Sequence, residues 1–233
     1  ILCNPQNPAG NIWDRETLAR IGALCKQYDV IVVSDEIHCD LTKPGTEYIP
    51  FASVDDICRD ISVTCIAPTT TFNLAGLQTA AVYAENSILH HRMWRQLNTD
   101  EVAEPNAFAI QAAIAAFQYG EEWLDELREY VEKNNQYVTE FLQEKIPLIH
   151  PVAGDATYLM WLDCRKITES GRQFAKFIRK TSGLYVSGGN QYGRGGEGFL
   201  RMNVATSKLV VEDGMQRLYE SVDAWLKEEK ISK

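Results

Sequence analysis

A run of four branched apolar residues, from Val30 to Val33, is the feature that most constrains how this chain can fold. The run is too continuous for a strand with one face in water, and such runs are typical of a parallel sheet covered on both faces. Similar segments occupy residues 61–66 and 79–84, and a helical spacing of apolar residues capped by Asp14 precedes the first run. Strands and helices that alternate in this way predict an α/β sheet.

The pattern changes after residue 85, and the change predicts a second domain. Helical spacing predicts three helices, at about residues 86–98, 107–119 and 121–145. Farther along, strands mix with helices, at about residues 157–162, 168–181, 184–186, 199–204 and 208–228. We therefore predict a mainly parallel-sheet domain over residues 1–135 and a small α+β domain over residues 136–233, hinged on the long helix.

Charge, apolar runs and cysteine spacing argue against several classes of protein. The net charge of −9 argues against nucleic acid or an anionic membrane as a partner, because clustered Lys and Arg bind phosphate groups. No uncharged apolar run is long enough to span a bilayer. The six cysteines lack a C-x-x-C motif or a metal-ligand spacing, which is typical of reduced structural thiols in the cytoplasm. The chain opens at Ile1 with neither an initiator Met nor a signal peptide, so we expect a cytoplasmic, truncated chain.

The first segment that suggests chemistry reads Asn-Pro-Gln-Asn-Pro-Ala-Gly and runs from Asn4 to Gly10. Two Asn-Pro steps and a glycine enforce a non-helical turn, because the residue before a proline is pushed out of the α region. A simple connecting turn would show the same pattern. The segment therefore predicts a fixed turn at the end of a strand.

The second segment, residues 32–38, places an acidic residue at the end of a strand that we predict to be buried. Open α/β sheets bind ligands at the carboxyl ends of their strands, and an aspartate such as Asp35 can pair there with a cationic group. Asp35 and Glu36 could equally cap the next turn. His38 taken alone is more typical of a packed histidine than of a catalyst.

The third segment, residues 67–77, places three hydroxyl side chains in a turn after the next strand. Hydroxyl side chains in a turn after a strand, together with free backbone N–H groups, make a candidate phosphate site. A threonine-rich turn with a purely structural role remains an alternative.

In this order and spacing, the three segments resemble fold-type-I enzymes that use pyridoxal 5'-phosphate (PLP). The series Asn-Pro-x-Asn-Pro-x-Gly, Ser-Asp-Glu-Ile-His and Ala-Pro-Thr-Thr-Thr-Phe-Asn-Leu-Ala-Gly-Leu is similar to the MalY/PatB-type C–S lyases of aminotransferase class I/II. The segments at 104–108, 154–159 and 195–203 agree, so the resemblance covers essentially the whole chain. It implies the C-terminal part of a large PLP-binding domain, followed by the small α+β domain.

The resemblance implies a role for each of five residues. Asn7 would hydrogen-bond the ring oxygen of PLP, and Asp35 would pair with the pyridine nitrogen. His38 stands where transaminases often carry Tyr, near the same ring oxygen. Thr69 would contact the phosphate, and Arg201 would hold the substrate α-carboxylate in a bidentate pair.

Thr70 is the main departure from the family pattern, because it stands at the position of the Schiff-base lysine. That lysine forms the covalent link to PLP and moves the Cα proton, and threonine can do neither. The nearest lysines in sequence, Lys26 and Lys43, lie in other segments. We therefore predict that PLP, if bound at all, is held noncovalently. Family members also carry an N-terminal portion before the position of Ile1, and that portion supplies further site residues.

The resemblance implies a β-lyase that cleaves cysteine conjugates such as cystathionine to a thiol, pyruvate and ammonia. The alternatives are a class I/II aminotransferase, which needs the same cofactor, and a non-catalytic pseudoenzyme or lysine variant. The family also implies a homodimer with a small amino-acid substrate and no metal.

Two other patterns predict no site. Residues 193–198 match G-x-G-x-x-G, but an apolar run typical of a strand follows them, whereas a dinucleotide motif opens a helix. His90 and His91 lie in a predicted helix without metal-ligand partners.

Overall fold

The computed structural model describes residues 1–231, and the chain divides into two compact units. The first unit comprises residues 1–7 and 11–128, and the second comprises residues 8–10 and the chain from residue 129 onward. The division falls within one long helix, and the boundary that we predict after residue 135 stays a prediction. None of the described helices combines the length and the apolar character needed to cross a bilayer.

The first unit alternates strands and helices as the sequence predicts. Its elements are β1 (Leu2–Cys3), α1 (Arg15–Gln27), β2 (Val32–Asp35), α2 (Asp56–Ile61), β3 (Ser62–Ile66), α3 (Pro68–Thr71), β4 (Ala81–Tyr83), α4 (Ser87–Thr99), α5 (Ala109–Tyr119) and the start of α6 (Glu121–Lys145).

The sheet of this unit has the order β1-β2-β3-β4. The first three strands are parallel, and β4 is antiparallel to β3. Cys3 pairs with Asp35, and Asp35 pairs with Cys65, so the three parallel strands end at nearly the same level. The predicted α/β class is confirmed, and the segments that follow β1, β2 and β3 all leave from one edge of the sheet.

Helix α1 begins where the sequence places its cap. The Asp14 carboxylate accepts a hydrogen bond of 2.7 Å from the Thr17 backbone N–H, as expected for an N-cap aspartate. Leu18 on this helix is fully buried in a cluster with Val32, Phe51, Cys58 and Ile61. Burying a leucine of this kind stabilises the fold by roughly 1.5–3 kcal/mol, so this cluster attaches the helix to one face of the sheet.

The opposite face of β2 corrects an expectation. Successive side chains of a strand point to opposite faces, and Val32 is 4% exposed whereas Val33 is 36% exposed. Val30 and Ile31, just before the strand, are also exposed. The prediction that both faces of this strand are covered is therefore wrong for the first unit, because the apolar cluster packs only on the Val32 face.

The second unit is built on an antiparallel sheet. Its elements after α6 are β5 (His150–Pro151), β6 (Leu159–Asp163), α7 (Gly171–Ser182), β7 (Ser187–Gly188), β8 (Phe199–Asn203) and α8 (Lys208–Ile231). The strand order is β5-β6-β8-β7. The strand predicted at residues 184–186 forms slightly later, and β5 has no counterpart in the sequence prediction.

Helix α6 buries one stripe of apolar residues, including Val131, Val138 and Leu142. Asn134 lies on the same stripe and is also buried. Its side-chain amide donates to the carbonyl oxygens of Val204 at 2.9 Å and Thr206 at 3.0 Å. A buried amide that satisfies two loop carbonyls holds the turn after β8 against the helix.

Candidate active site

The carboxyl edge of the parallel sheet gathers the three segments that the sequence singles out. The Asn4 N–H donates to the Asp35 carbonyl at 3.1 Å, and the Glu36 N–H donates to the Cys65 carbonyl at 2.9 Å. These bonds continue the strand pairing by one residue beyond β1 and β2. Consequently the Asn-Pro turn, the acidic segment and the threonine turn begin side by side.

Asp35 is the last residue of β2 and is partly buried. One carboxylate oxygen accepts a long hydrogen bond of 3.4 Å from the Ile37 backbone N–H. Within the described residues, no lysine or arginine forms an ion pair with it. The carboxylate therefore keeps most of its capacity to accept a hydrogen bond from a cationic ligand.

The turn after β1 is tightly held. Asn4 is fully buried, and its side-chain oxygen accepts from the Trp13 N–H at 3.2 Å. The Asn4–Pro5 peptide bond is cis, and the Gln6 N–H donates to the Asn11 carbonyl at 2.9 Å. These contacts position Asn7, which is half-buried and whose carbonyl accepts from the Gln6 side chain.

The end of the same motif belongs to the second unit. The Gly10 carbonyl accepts from the N–H groups of Asp155 and Ala156, at 2.9 Å and 3.1 Å. Gly10 has a φ of +70°, and a Cβ atom there would lie 2.4 Å from the Ala156 carbonyl oxygen. Only glycine fits both the conformation and the space, which accounts for the last residue of the motif.

The threonine turn forms α3, a helix of four residues after β3. Thr69 and Thr70 are partly exposed, whereas Thr71 is buried and its hydroxyl donates to Asp40 at 3.2 Å. The first N–H groups of a helix have no partner within it. The backbone N–H groups that begin this turn therefore lie at the edge that carries Asp35.

Lys26 is directed away from Thr70. It forms an ion pair of 2.8 Å with Asp60, at the end of α1 and just before β3. These positions are at the amino edge of the sheet, opposite the edge that carries Thr70. The Lys43 carbonyl accepts from Arg128 at 3.2 Å, in the loop that follows β2.

His38 is 4% exposed and lies in the turn that follows β2. The Leu41 N–H donates to its carbonyl at 3.0 Å, and the neighbouring Cys39 N–H donates to the Glu36 carbonyl at 2.9 Å. Burial raises the pKa of the Cys39 thiol to about 12, so this cysteine stays protonated beside the site.

Glu36 follows Asp35 but is buried inside the protein, whereas sequence reasoning treats it only as a capping carboxylate. It is 2% exposed, and one oxygen accepts from the Ser34 hydroxyl at 2.8 Å and from the Phe51 N–H at 3.1 Å. The alternation of side chains along the strand could have predicted this burial. Residues 32, 34 and 36 share a face, and Val32 on that face is an apolar core residue.

Arg201 lies in the second unit, in the middle of β8, and is half-buried. It pairs in register with Trp161 of β6 and with Ser187 of β7. Its guanidinium carbon lies 4.8 Å from the centre of the Tyr192 ring, which is a cation–π distance. The sheet and this ring orient the side chain.

The two patterns without a predicted site behave as ordinary structure. The glycine-rich stretch at residues 193–198 is followed by strand β8 and not by a helix. His90 and His91 lie within α4. Among the side chains that the structure describes, no group of metal-ligating residues occurs.

Comparisons with known proteins agree with this geometry. The sequence profile described as "Aminotransferase class I and II" matches residues 1–218. The chain is 42% identical over 218 residues to "Cystathionine beta-lyase PatB" of Bacillus subtilis, covering 94% of this chain and 56% of that protein. The chain therefore spans little more than half the length of this relative.

Two solved structures share the fold. Cystalysin from Treponema denticola, whose structure contains a pyridoxal 5'-phosphate cofactor, superimposes with a TM-score of 0.92 at 28% identity, over 96% of this chain and 57% of that one. The PLP-bound C–S lyase from Staphylococcus hominis superimposes with a TM-score of 0.84 at 33% identity, over 94% and 57% of the two chains. The predicted fold-type-I architecture is confirmed, and the chain belongs to the aminotransferase class I and II family.

Proposed function

We propose that this chain carries the PLP-binding edge of a carbon–sulfur β-lyase, an enzyme that cleaves cysteine conjugates such as cystathionine to a thiol, pyruvate and ammonia. The proposal rests on one observation: the Asn-Pro turn, Asp35 and the threonine turn lie side by side at one edge of the sheet. The similarity to PatB and to two PLP-containing structures supports the same lineage.

The side chains at the edge fit the chemistry of PLP. Asp35 offers a carboxylate without a cationic partner among the described residues, which suits a protonated pyridine nitrogen. Asn7 and His38 would hydrogen-bond the ring oxygen, and the Thr69 hydroxyl would contact the phosphate. When bound, PLP would supply an electron sink for negative charge at the substrate Cα, and Asp35 would hold the ring nitrogen protonated.

Arg201 would bind the α-carboxylate of the amino-acid substrate. A guanidinium can donate two parallel hydrogen bonds to a carboxylate, which fixes the orientation of the substrate as well as its position. The flanking strands and the Tyr192 ring already restrict the rotamers of this side chain, so little orientation would be lost on binding.

Thr70 favours a second candidate, a PLP-binding protein without lyase turnover. A threonine hydroxyl neither links covalently to PLP nor accepts the Cα proton at neutral pH. Lys26 is paired with Asp60 at the opposite edge of the sheet. An aminotransferase would need the same lysine, so Thr70 counts equally against that alternative.

We also propose that the complete protein is a cytoplasmic homodimer. All six cysteines are free thiols, as expected in a reducing compartment. Helix α5 exposes Ile110, Ile114 and Phe117, three apolar residues at helical spacing that suit a surface for association.

Turnover tests the function. The chain should be assayed for pyruvate release from cystathionine with excess PLP, joined to the N-terminal portion expected of the family. With Thr70 in place we expect no measurable turnover, because a positioned general base alone contributes about 10²–10⁴ in rate. Thr70→Lys should restore pyruvate release. Thr69→Lys is the matched control, since it introduces the same amine one residue away and should stay inactive.

Borohydride reduction tests the position of the missing lysine without relying on activity. PLP bound to the Thr70 protein should be lost on dialysis, and reduction should trap no protein adduct. Thr70→Lys should trap one at residue 70, mapped by mass spectrometry. An adduct on Lys43 or another lysine of the unchanged protein would show that a different residue takes the role.

A further inference from the structure

Arg128 lies on α6 and binds the stretch of chain that follows β2, residues 38–43, which we call the histidine segment. Its Nε donates to the Thr42 carbonyl at 2.8 Å. One terminal nitrogen donates to the Thr42 hydroxyl at 2.7 Å and to the Lys43 carbonyl at 3.2 Å, and the other bonds Asp125 at 3.3 Å. A guanidinium holds its donors in one rigid plane, so this side chain fixes two consecutive residues of the segment.

The Arg128 bonds are partly shielded from water. The Arg128 side chain is 22% exposed, and Thr42 is 6% exposed. Hydrogen bonds from a charged donor are stronger than those between neutral groups, and a buried acceptor that loses its donor is costly. The contact between α6 and the histidine segment is therefore a fixed part of the first unit.

The threonine turn holds the same segment from another side. The buried Thr71 hydroxyl donates to the Asp40 carboxylate at 3.2 Å. Within the segment, the Leu41 N–H donates to the His38 carbonyl at 3.0 Å, and His38 and Leu41 are 4% and 5% exposed. The segment is thus attached to the threonine turn at Asp40 and to α6 at Thr42.

The start of α6 also contacts the end of the threonine turn. The Phe72 ring centre lies 5.8 Å from that of Trp123 on α6. A Cβ atom at Gly120 would lie 2.5 Å from a ring carbon of Phe72, so the helix begins directly against this ring. The first turns of α6 therefore support both the histidine segment and the threonine turn.

We propose that Arg128 is a positioning residue of the candidate site. It acts through the backbone of the histidine segment, which carries His38 and is attached at Asp40 to the threonine turn. The functional part rests on the proposed PLP site, because His38 is there a contact to the ring oxygen.

Hydrogen exchange tests whether Arg128 holds the segment. In Arg128→Met and in Thr42→Val, the Leu41 and Thr46 amides, which donate to the His38 and Lys43 carbonyls, should exchange at least about tenfold faster. Thr42→Ser keeps the hydroxyl that accepts from Arg128 and should stay close to the wild-type rates.

Arg59→Met is the matched control for hydrogen exchange. Arg59 forms the same kind of ion pair, with Asp56 three residues earlier on its helix, at 2.9 Å. This variant should leave exchange in the histidine segment unchanged. Wild-type exchange rates in Arg128→Met, or equal acceleration in Thr42→Ser and Thr42→Val, would overturn the proposed hold on the segment.

Binding of PLP, measured by equilibrium dialysis, tests the positioning role. Arg128→Met and Thr42→Val should raise the dissociation constant of PLP, whereas Thr42→Ser and Arg59→Met should not. In a His38→Gln background, Arg128→Met should raise the constant by a smaller factor than in the wild type, because the two residues act on the same contact.

An equal factor in the two backgrounds, or an unchanged affinity in Arg128→Met, would refute the positioning role. If the wild type does not bind PLP, the positioning role falls together with the proposed function. Faster hydrogen exchange in Arg128→Met would then place the failure in the proposed function and not in the contact between α6 and the segment.

Discussion

Asp35 and Glu36 are adjacent acids with opposite environments. Asp35 stands at the edge of the sheet with capacity for a ligand, whereas Glu36 points into the protein beside Ser34. The reason is the pleat of the strand, which sends neighbouring side chains to opposite faces. One acid is thereby available for a charged ligand, and the other holds the scaffold beneath it.

The charge of Asp35 should dominate the affinity for PLP. Asp35→Asn preserves size and removes the charge, and a hydrogen bond to a charged group contributes roughly 1.5–3 kcal/mol. We expect the dissociation constant of PLP, measured by equilibrium dialysis, to rise about 10- to 150-fold.

Asp29→Asn is the matched control for this prediction. Asp29 is exposed before β2 and has a φ of 53°, a conformation that asparagine also adopts readily. It should leave PLP binding unchanged. An equal loss in both variants would mean that net charge, and not the Asp35 position, governs binding.

The buried thiols should be protected from alkylation. Cys58 is fully buried, and burial raises its pKa to about 12, while the thiolate is the reactive form. At pH 8 we expect iodoacetamide to label the partly exposed Cys25 in the native protein and to label Cys58 only after unfolding. Mass spectrometry of the labelled peptides checks this, and equal native rates at the two positions would contradict it.

At the scale of elements, helices are predictable because their signals are local. The Asp14 cap starts α1, and α6 spans residues 121–145 as its apolar spacing predicts. The two-residue strands β5 and β7 carry too few residues for a pattern, and they exist because β6 and β8 offer them hydrogen-bonding partners.

Asn134 should be a major contributor to the stability of the second unit. Asn134→Ala would leave the Val204 and Thr206 carbonyls without their buried donor. The expected loss is about 1–3 kcal/mol in the free energy of unfolding, measured by urea denaturation. The exposed neighbour Lys133→Ala should stay within about 0.5 kcal/mol of wild type. Similar losses for both would show that the amide has no special role.

At the scale of the whole molecule, the 233-residue chain should associate in solution. The exposed apolar residues of α5 and the short β4 strand, whose three residues are all exposed, are surfaces that favour self-association. We expect light scattering to show species larger than a monomer at micromolar concentration.

A double variant tests the surface responsible. Ile110→Lys with Ile114→Lys adds two like charges to the exposed face of α5 and should reduce the associated fraction. Leu209→Lys, at an exposed apolar position on α8 in the other unit, is the control. A monodisperse monomer for the unchanged chain would contradict the prediction.

By itself, the sequence determined the fold class, the family and the order of the chemical segments, because motif spacing, helix caps and branched strands are properties of short stretches. It also indicated Asp35 as the acid at a strand end and Thr70 as the departure from the family pattern. The assigned roles of Asn7, Asp35, His38, Thr69 and Arg201 stay predictions that the proposed experiments address.

Only the tertiary structure decided which strand faces are covered and where Glu36 points. The pairing of Cys3, Asp35 and Cys65 brings three distant segments to one edge, and the hydroxyl of Tyr48 reaches the Asn4 carbonyl across 44 positions of sequence. Burial and hydrogen-bond partners depend on contacts between segments far apart in the chain. Local patterns carry no information about such contacts, so the burial and the hydrogen-bond partners of Glu36 are visible only in the folded chain.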